Sequence, residues 1–154
     1  MLYSMDRDTS PNRDAVKSRM YESQRRLESM EELIEKLIEC SDGGDIIVVE
    51  GKRDIVSLRR LGVRGQMEEA THRPLLDLSE ELSCTCKRII VLTDWDHRGG
   101  ILAQKLSDNL RYFGTDIDTD IRERISSLVK KEVKDVESLH TYVSKLRILV
   151  AHRH

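Results

Sequence analysis

Two short runs leave this chain little freedom in how it folds. Asp45-Ile-Ile-Val-Val-Glu50 and Arg88-Ile-Ile-Val-Leu-Thr93 are apolar through their middles, with no polar residue alternating in. A strand with one wet face alternates; a strand covered on both faces does not. The β-branched residues suit a buried, pleated backbone. Amphipathic helical patterns separate and follow the runs. Strand and helix in alternation call for a parallel sheet with right-handed crossovers, an α/β architecture.

The remaining elements follow from periodicity and punctuation. Residues 1–12 are polar and aperiodic, and are expected to form a flexible N-terminus. A long helix is predicted over 13–41. Val16, Met20, Leu27, Met30, Ile34 and Leu37 step by fours and threes, with Ser23 filling the gap. That spacing is a heptad seam. It fits packing on the chain's own sheet, and it also fits a homodimer joined through this helix. Ser41-Asp-Gly-Gly44 ends the helix. Further helices are expected over 52–61, 73–82 and 101–113. A short strand is expected within 63–69 and another within 116–120. The span 43–120 then forms one domain with a four-stranded parallel sheet flanked by helices. Residues 121–154 form a C-terminal helical extension.

Both of these apolar strands end in acids. Glu50-Gly51 closes the first, and Asp94-Trp-Asp96 closes the later one, before His97-Arg-Gly-Gly100 leads into a helix. In the strand order 2-1-3-4 these two strands are neighbours, and the switch point lies between their carboxyl ends, where open α/β sheets bind ligands. Glu50, Asp94 and Asp96 are therefore expected to converge. Three carboxylates in one place repel unless a cation or proton intervenes. With no Cys or His cluster beside them they favour a hard cation, Mg²⁺ or Mn²⁺. The plainer alternative is that Asp94 starts a turn and Asp96 caps the next helix.

Val48-Val-Glu-Gly-Lys-Arg-Asp54, followed by Val91-Leu-Thr-Asp-Trp-Asp-His-Arg-Gly-Gly100, resembles the Toprim domain. That domain is shared by type I and II topoisomerases, bacterial-type primases, recombination proteins and small nucleases that mature ribosomal RNA. The wording here is closest to the small stand-alone Toprim proteins of archaea and bacteria and to the RNA-maturing nucleases. The resemblance implies a magnesium-dependent site for phosphoryl transfer on nucleic acid, with RNA favoured over DNA. It implies Glu50 as general acid or base and Asp94 and Asp96 as the metal-binding pair. The tyrosine-bearing, zinc-finger, helicase-binding and ATPase modules of the larger relatives have no counterpart, so topoisomerase or full primase activity is not expected.

Other residues have a functional and a plain reading side by side. Gly51 and Gly99 suit a backbone that bends close to a phosphate, or simple turns. Lys52, Arg53 and Arg98 suit phosphate contacts, or a solvated surface. Asp54 suits support of the site, or a helix cap. His97 is read as a bystander or phosphate contact, and Trp95 as packing over the site or stacking on a base. Lys130, Lys131 and Lys134 form a candidate nucleic-acid face that Glu132, Asp135 and Glu137 dilute.

Composition narrows the function classes. Charged residues are 35% and aromatics 4%, so the surface is ionic and the core aliphatic. A formal net charge of −2 argues against a generally basic nucleic-acid coat. Cys40, Cys84 and Cys86 suggest reduced thiols rather than a disulfide framework or a zinc site. No apolar run is long enough for a membrane span, and no secretory signal is seen, so the chain is read as cytoplasmic without a membrane partner. Three functions stay open: a metal-dependent nuclease, a non-catalytic Toprim module that binds nucleic acid or a protein, and a phosphatase or nucleotide-processing enzyme.

Overall fold

The computed structural model describes the backbone of residues 4–152 and the side chains of residues 12–152. In chain order the elements are α1 (Ser4–Asp42), β1 (Ile46–Val49), α2 (Lys52–Arg60), β2 (Met67–Glu69) and α3 (Leu75–Ser83). They continue with β3 (Ile89–Val91), α4 (His97–Tyr112), β4 (Ile117–Asp118), α5 (Asp120–Val129) and α6 (Leu139–Ala151). All strand pairs are parallel, in the order β2-β1-β3-β4. The expected α/β fold with a four-stranded sheet, long N-terminal helix and C-terminal helices is the fold observed.

The two apolar runs explain the layering. Side chains alternate across a strand, so each run feeds two cores at once. Ile47, Val49, Ile90 and Leu92 face a core completed by α1, α2, α5 and α6. Ile46, Val48, Ile89 and Val91 face a second core built with α3 and α4. All eight are fully buried. Burying such a side chain contributes about 1.5–3 kcal/mol, against about 0.5–1.5 kcal/mol net for a hydrogen bond. Burial on both faces therefore holds strands of only three or four residues in place.

Several elements differ in extent from the sequence reading. The α1 helix is described from Ser4, earlier than the Arg13 start expected, and takes in most of the segment read as a flexible N-terminus. Its seam divides in two. Met30, Leu33, Ile34 and Leu37 are buried in the chain's own core, where α1 packs on α5 and α6. Val16 remains exposed and Met20 is half-buried further toward the N-terminus. The packing alternative thus accounts for the C-terminal half of the seam. The α4 helix begins at His97 rather than Ile101, because Asp96 caps it and the two glycines sit in its first turn. No helix among the described residues is long and apolar enough to cross a membrane.

Candidate functional site

β1 and β3 end side by side, and both run straight into the acid-bearing turns. Beyond Val49 the chain bends at Glu50, whose carbonyl accepts a bond from the Thr71 hydroxyl at 2.8 Å. Beyond Val91 the chain continues extended through Thr93 to Asp94. The Asp94 N–H donates to Glu50 Oε2 at 2.9 Å, which joins the two acid turns directly. Glu50 and Asp94 line one cleft of about 380 Å³, with Gly51, Lys52, Arg53, Asp54, Thr71, His72, Asp135 and Glu137.

Asp96 takes a different position. Its Oδ1 accepts the Gly99 N–H at 2.7 Å as the N-cap of α4, and its side chain stands outside the lining of that cleft. The capping alternative is therefore realised for one of its oxygens. Arg98 is exposed on the first turn of α4, also outside the lining. Lys52 and Arg53 are exposed at the cleft rim. Arg53 comes within 3.8 Å of Glu137, an exposed pair that water screens and that adds little stability. Trp95 is packed against the core of α1, α5 and α6, and its indole N–H donates to the Val133 carbonyl at 2.6 Å.

The two glycines do different work. Gly51 is extended, with φ −151°, and a Cβ there would meet nothing within 4 Å. A Cβ on Gly99 would fall 1.9 Å from the Asp94 carbonyl oxygen. Gly99 is thus required by close packing of α4 on the acid turn. Thr93 Oγ1 closes the same turn by donating to the Gly99 carbonyl at 2.8 Å.

Residues that the sequence reading set aside complete the cleft. Asp135 and Glu137, read as diluting a basic tail, line it instead, while Lys130, Lys131 and Lys134 stay exposed. The same segment grips the acid turn. Val136 N–H donates to Asp94 Oδ1 at 2.9 Å, and Trp95 N–H donates to the Lys134 carbonyl at 3.3 Å. Asp54 is buried and accepts the Gly51 N–H at 3.1 Å, so it caps α2 while facing the cleft. The only sequence signal for the added acids was the D-x-E spacing of Asp135-Val-Glu137, an echo of Asp94-x-Asp96.

Carboxylates crowd this cleft. Burial, with further contributions from Glu50, Asp54 and Asp135, pushes the Asp94 carboxyl up from 3.8 to about 7 despite the opposing bond from Val136. Burial raises Asp54 as well. Such a set of carboxylate oxygens fits a hard divalent cation. Among the described residues, however, no three His, Cys, Asp or Glu side chains close on one point.

The raised value predicts a pH dependence. The folded protein holds the Asp94 proton that the unfolded chain releases near 4. Asp94 therefore contributes stability that is fully present below pH 4 and is lost as pH rises through about 7. Asp94→Asn, which can still accept from Val136, escapes that loss. Urea melts without metal should show the variant gaining on wild type from pH 4 to 8. Parallel curves across that range would mean that Asp94 titrates normally.

A Toprim domain model matches residues 45–146, from β1 through α5 and into α6. This chain belongs to the Toprim family. A UPF0292 protein of Methanosarcina barkeri is 51% identical over 124 residues, covering 80% of this chain and 87% of its own. A UPF0292 protein of Methanocaldococcus jannaschii is 37% identical over 124 residues, covering 79% and 97%. A solved structure from Aquifex aeolicus shares the fold, with a TM-score of 0.61 and 24% identity over 70% of this chain and 94% of that one. The Toprim match supports metal-binding and nucleic-acid-related function in general terms. The Toprim segment here includes the strand-end acids, the turn at 133–136 and Arg122.

Proposed function

We propose that this Toprim protein carries out Mg²⁺- or Mn²⁺-dependent cleavage of a nucleic-acid phosphodiester, with RNA the favoured substrate. The observation that carries the reading is the bond from Asp94 N–H to Glu50 Oε2, which holds the two acid turns together in one cleft. Asp94 and the uncapped oxygen of Asp96 would hold the ion. A divalent ion supplies neutralisation of phosphate charge and stabilises the attacking or leaving oxygen. Glu50 keeps Oε1 for a proton at a scissile-phosphate oxygen while Oε2 stays on the Asp94 N–H. Lys52 and Arg53 at the rim, and Arg98 on the first turn of α4 outside the lining, would serve as phosphate contacts, and Gly51 leaves the backbone open for close approach.

The second reading, a non-catalytic module that binds nucleic acid or a protein, draws on Asp96, one oxygen of which is occupied as a cap. One experiment separates the readings. Purified protein is incubated with structured RNA, single-stranded DNA, supercoiled DNA and nucleotides, with Mg²⁺, with Mn²⁺ and with chelator. Metal-dependent RNA cleavage that Asp94→Asn abolishes is the expected result. Binding of RNA without turnover would select the module. Turnover of nucleotides alone would select a phosphatase-like enzyme.

A further inference from the structure

Arg122 lies on α5, outside both acid-bearing turns, and is only 7% exposed. A guanidinium is buried at a cost unless its donors are well used. Here they are. Nε donates to the Thr93 carbonyl at 3.0 Å, Nη2 to the Asp94 carbonyl at 2.7 Å, and Nη1 to the Glu123 carboxylate at 2.8 Å. The two carbonyls belong to the stretch between the end of β3 and the start of α4. Strand pairing has stopped there and helical bonding has not begun.

The Asp94 peptide groups are thereby held from several sides. The N–H is fixed by Glu50, the carbonyl by Arg122, and the side chain by Val136. Gly99 packs so closely on the same carbonyl that no Cβ fits between them. The carboxylates around this turn repel one another, so the turn would relax outward if a restraint were lost. Glu123 pairs with Arg122 and offsets its charge. Its effect is therefore one of geometry, a planar fork spanning two successive carbonyls, which a lysine cannot reproduce.

We propose that Arg122 is a positioning residue for the acid turn. It orients the Asp94 peptide so that the Asp94 carboxylate stays in the cleft beside Glu50. For its consequence on metal binding the proposal rests on the reading above. For its consequence on the turn it does not.

The test uses the full chain and two readouts. Trp95 is the single tryptophan, next in sequence to Asp94, so acrylamide quenching of its fluorescence reports the turn directly. Mn²⁺ affinity, followed by the electron paramagnetic resonance of the free ion, reports the carboxylates. The variants are Arg122→Met and Arg122→Lys. Arg88→Met is the control, since Arg88 pairs with the buried Asp118 at 2.6 Å from the opposite end of β3.

Arg122→Met should raise Trp95 quenching severalfold and weaken Mn²⁺ about 10–100-fold, the usual effect of removing a group that orients a metal ligand. Arg122→Lys should fall between it and wild type. Arg88→Met should lose stability yet match wild type on both readouts. If Arg122→Met does not fold, the folded lysine variant decides. Wild-type quenching in whichever Arg122 variant folds, or equal changes in Arg88→Met, would overturn the proposal. Wild-type protein that binds no Mn²⁺ would remove the metal reading, and the Trp95 readout would still decide the role of Arg122.

Discussion

Gly99→Ala is expected to disrupt the acid turn and to lower the melting temperature by about 2–12 °C, the consequence of overpacking worth ~1–3 kcal/mol in a chain of this size. The added methyl would meet the Asp94 carbonyl at 1.9 Å, and that atom belongs to backbone already held by Arg122. Neither side can yield cheaply. Gly51→Ala and Gly100→Ala are the matching controls. At Gly51 a Cβ meets nothing within 4 Å, and at Gly100 its nearest neighbour is Arg122 Nη2 at 3.9 Å. Both should melt within a few degrees of wild type. Thermal melts on the three variants check the prediction. A Gly99→Ala protein as stable as the other two would mean that the turn is far softer than its packing implies.

Glu50→Gln is expected to reduce turnover by about 10²–10⁴-fold, the range that general acid–base catalysis typically contributes. Its effect on binding should be small. Glutamine can still accept the Asp94 N–H through its amide oxygen, so the link between the two acid turns survives. What it cannot do is carry a proton. Mn²⁺ and nucleic-acid affinity should therefore stay within a few-fold of wild type, whereas Asp94→Asn should lose metal dependence and activity together. Single-turnover cleavage at saturating Mg²⁺, wild type beside Glu50→Gln, is the measurement. Equal rates would remove Glu50 from the proposed mechanism while leaving the acid cleft as a binding site.

The sequence by itself determined the sheet and the position of its acids. Ile46–Val49 and Ile89–Val91 are short, unbroken apolar runs, and only burial on both faces satisfies such runs. Their adjacency puts Glu50 and Asp94 at neighbouring strand ends, and the two motifs carried the family resemblance. These are local signals, readable because period and composition act within a few residues.

Tertiary structure decided the rest. Heptad spacing in α1 prescribes an apolar stripe and says nothing of its partner; packing against α5 and α6 assigned its C-terminal half to the chain's own core. Asp96 could cap a helix or face the cleft, and the early start of α4 at His97 gave one oxygen to the cap. Asp135 and Glu137 looked like dilution of a basic tail, and no motif or spacing singled out Arg122. Arg122 and Val136, the neighbour of Asp135 and Glu137, reach the acid turn through bonds to residues 28 to 42 positions away. Such pairings depend on how layers stack, and no periodicity within a single element records them. Glu50 and Asp94 could be found from the sequence; the grip of Arg122 and Val136 on Asp94 could not, because it comes from segments far along the chain that fold back onto the acid turn.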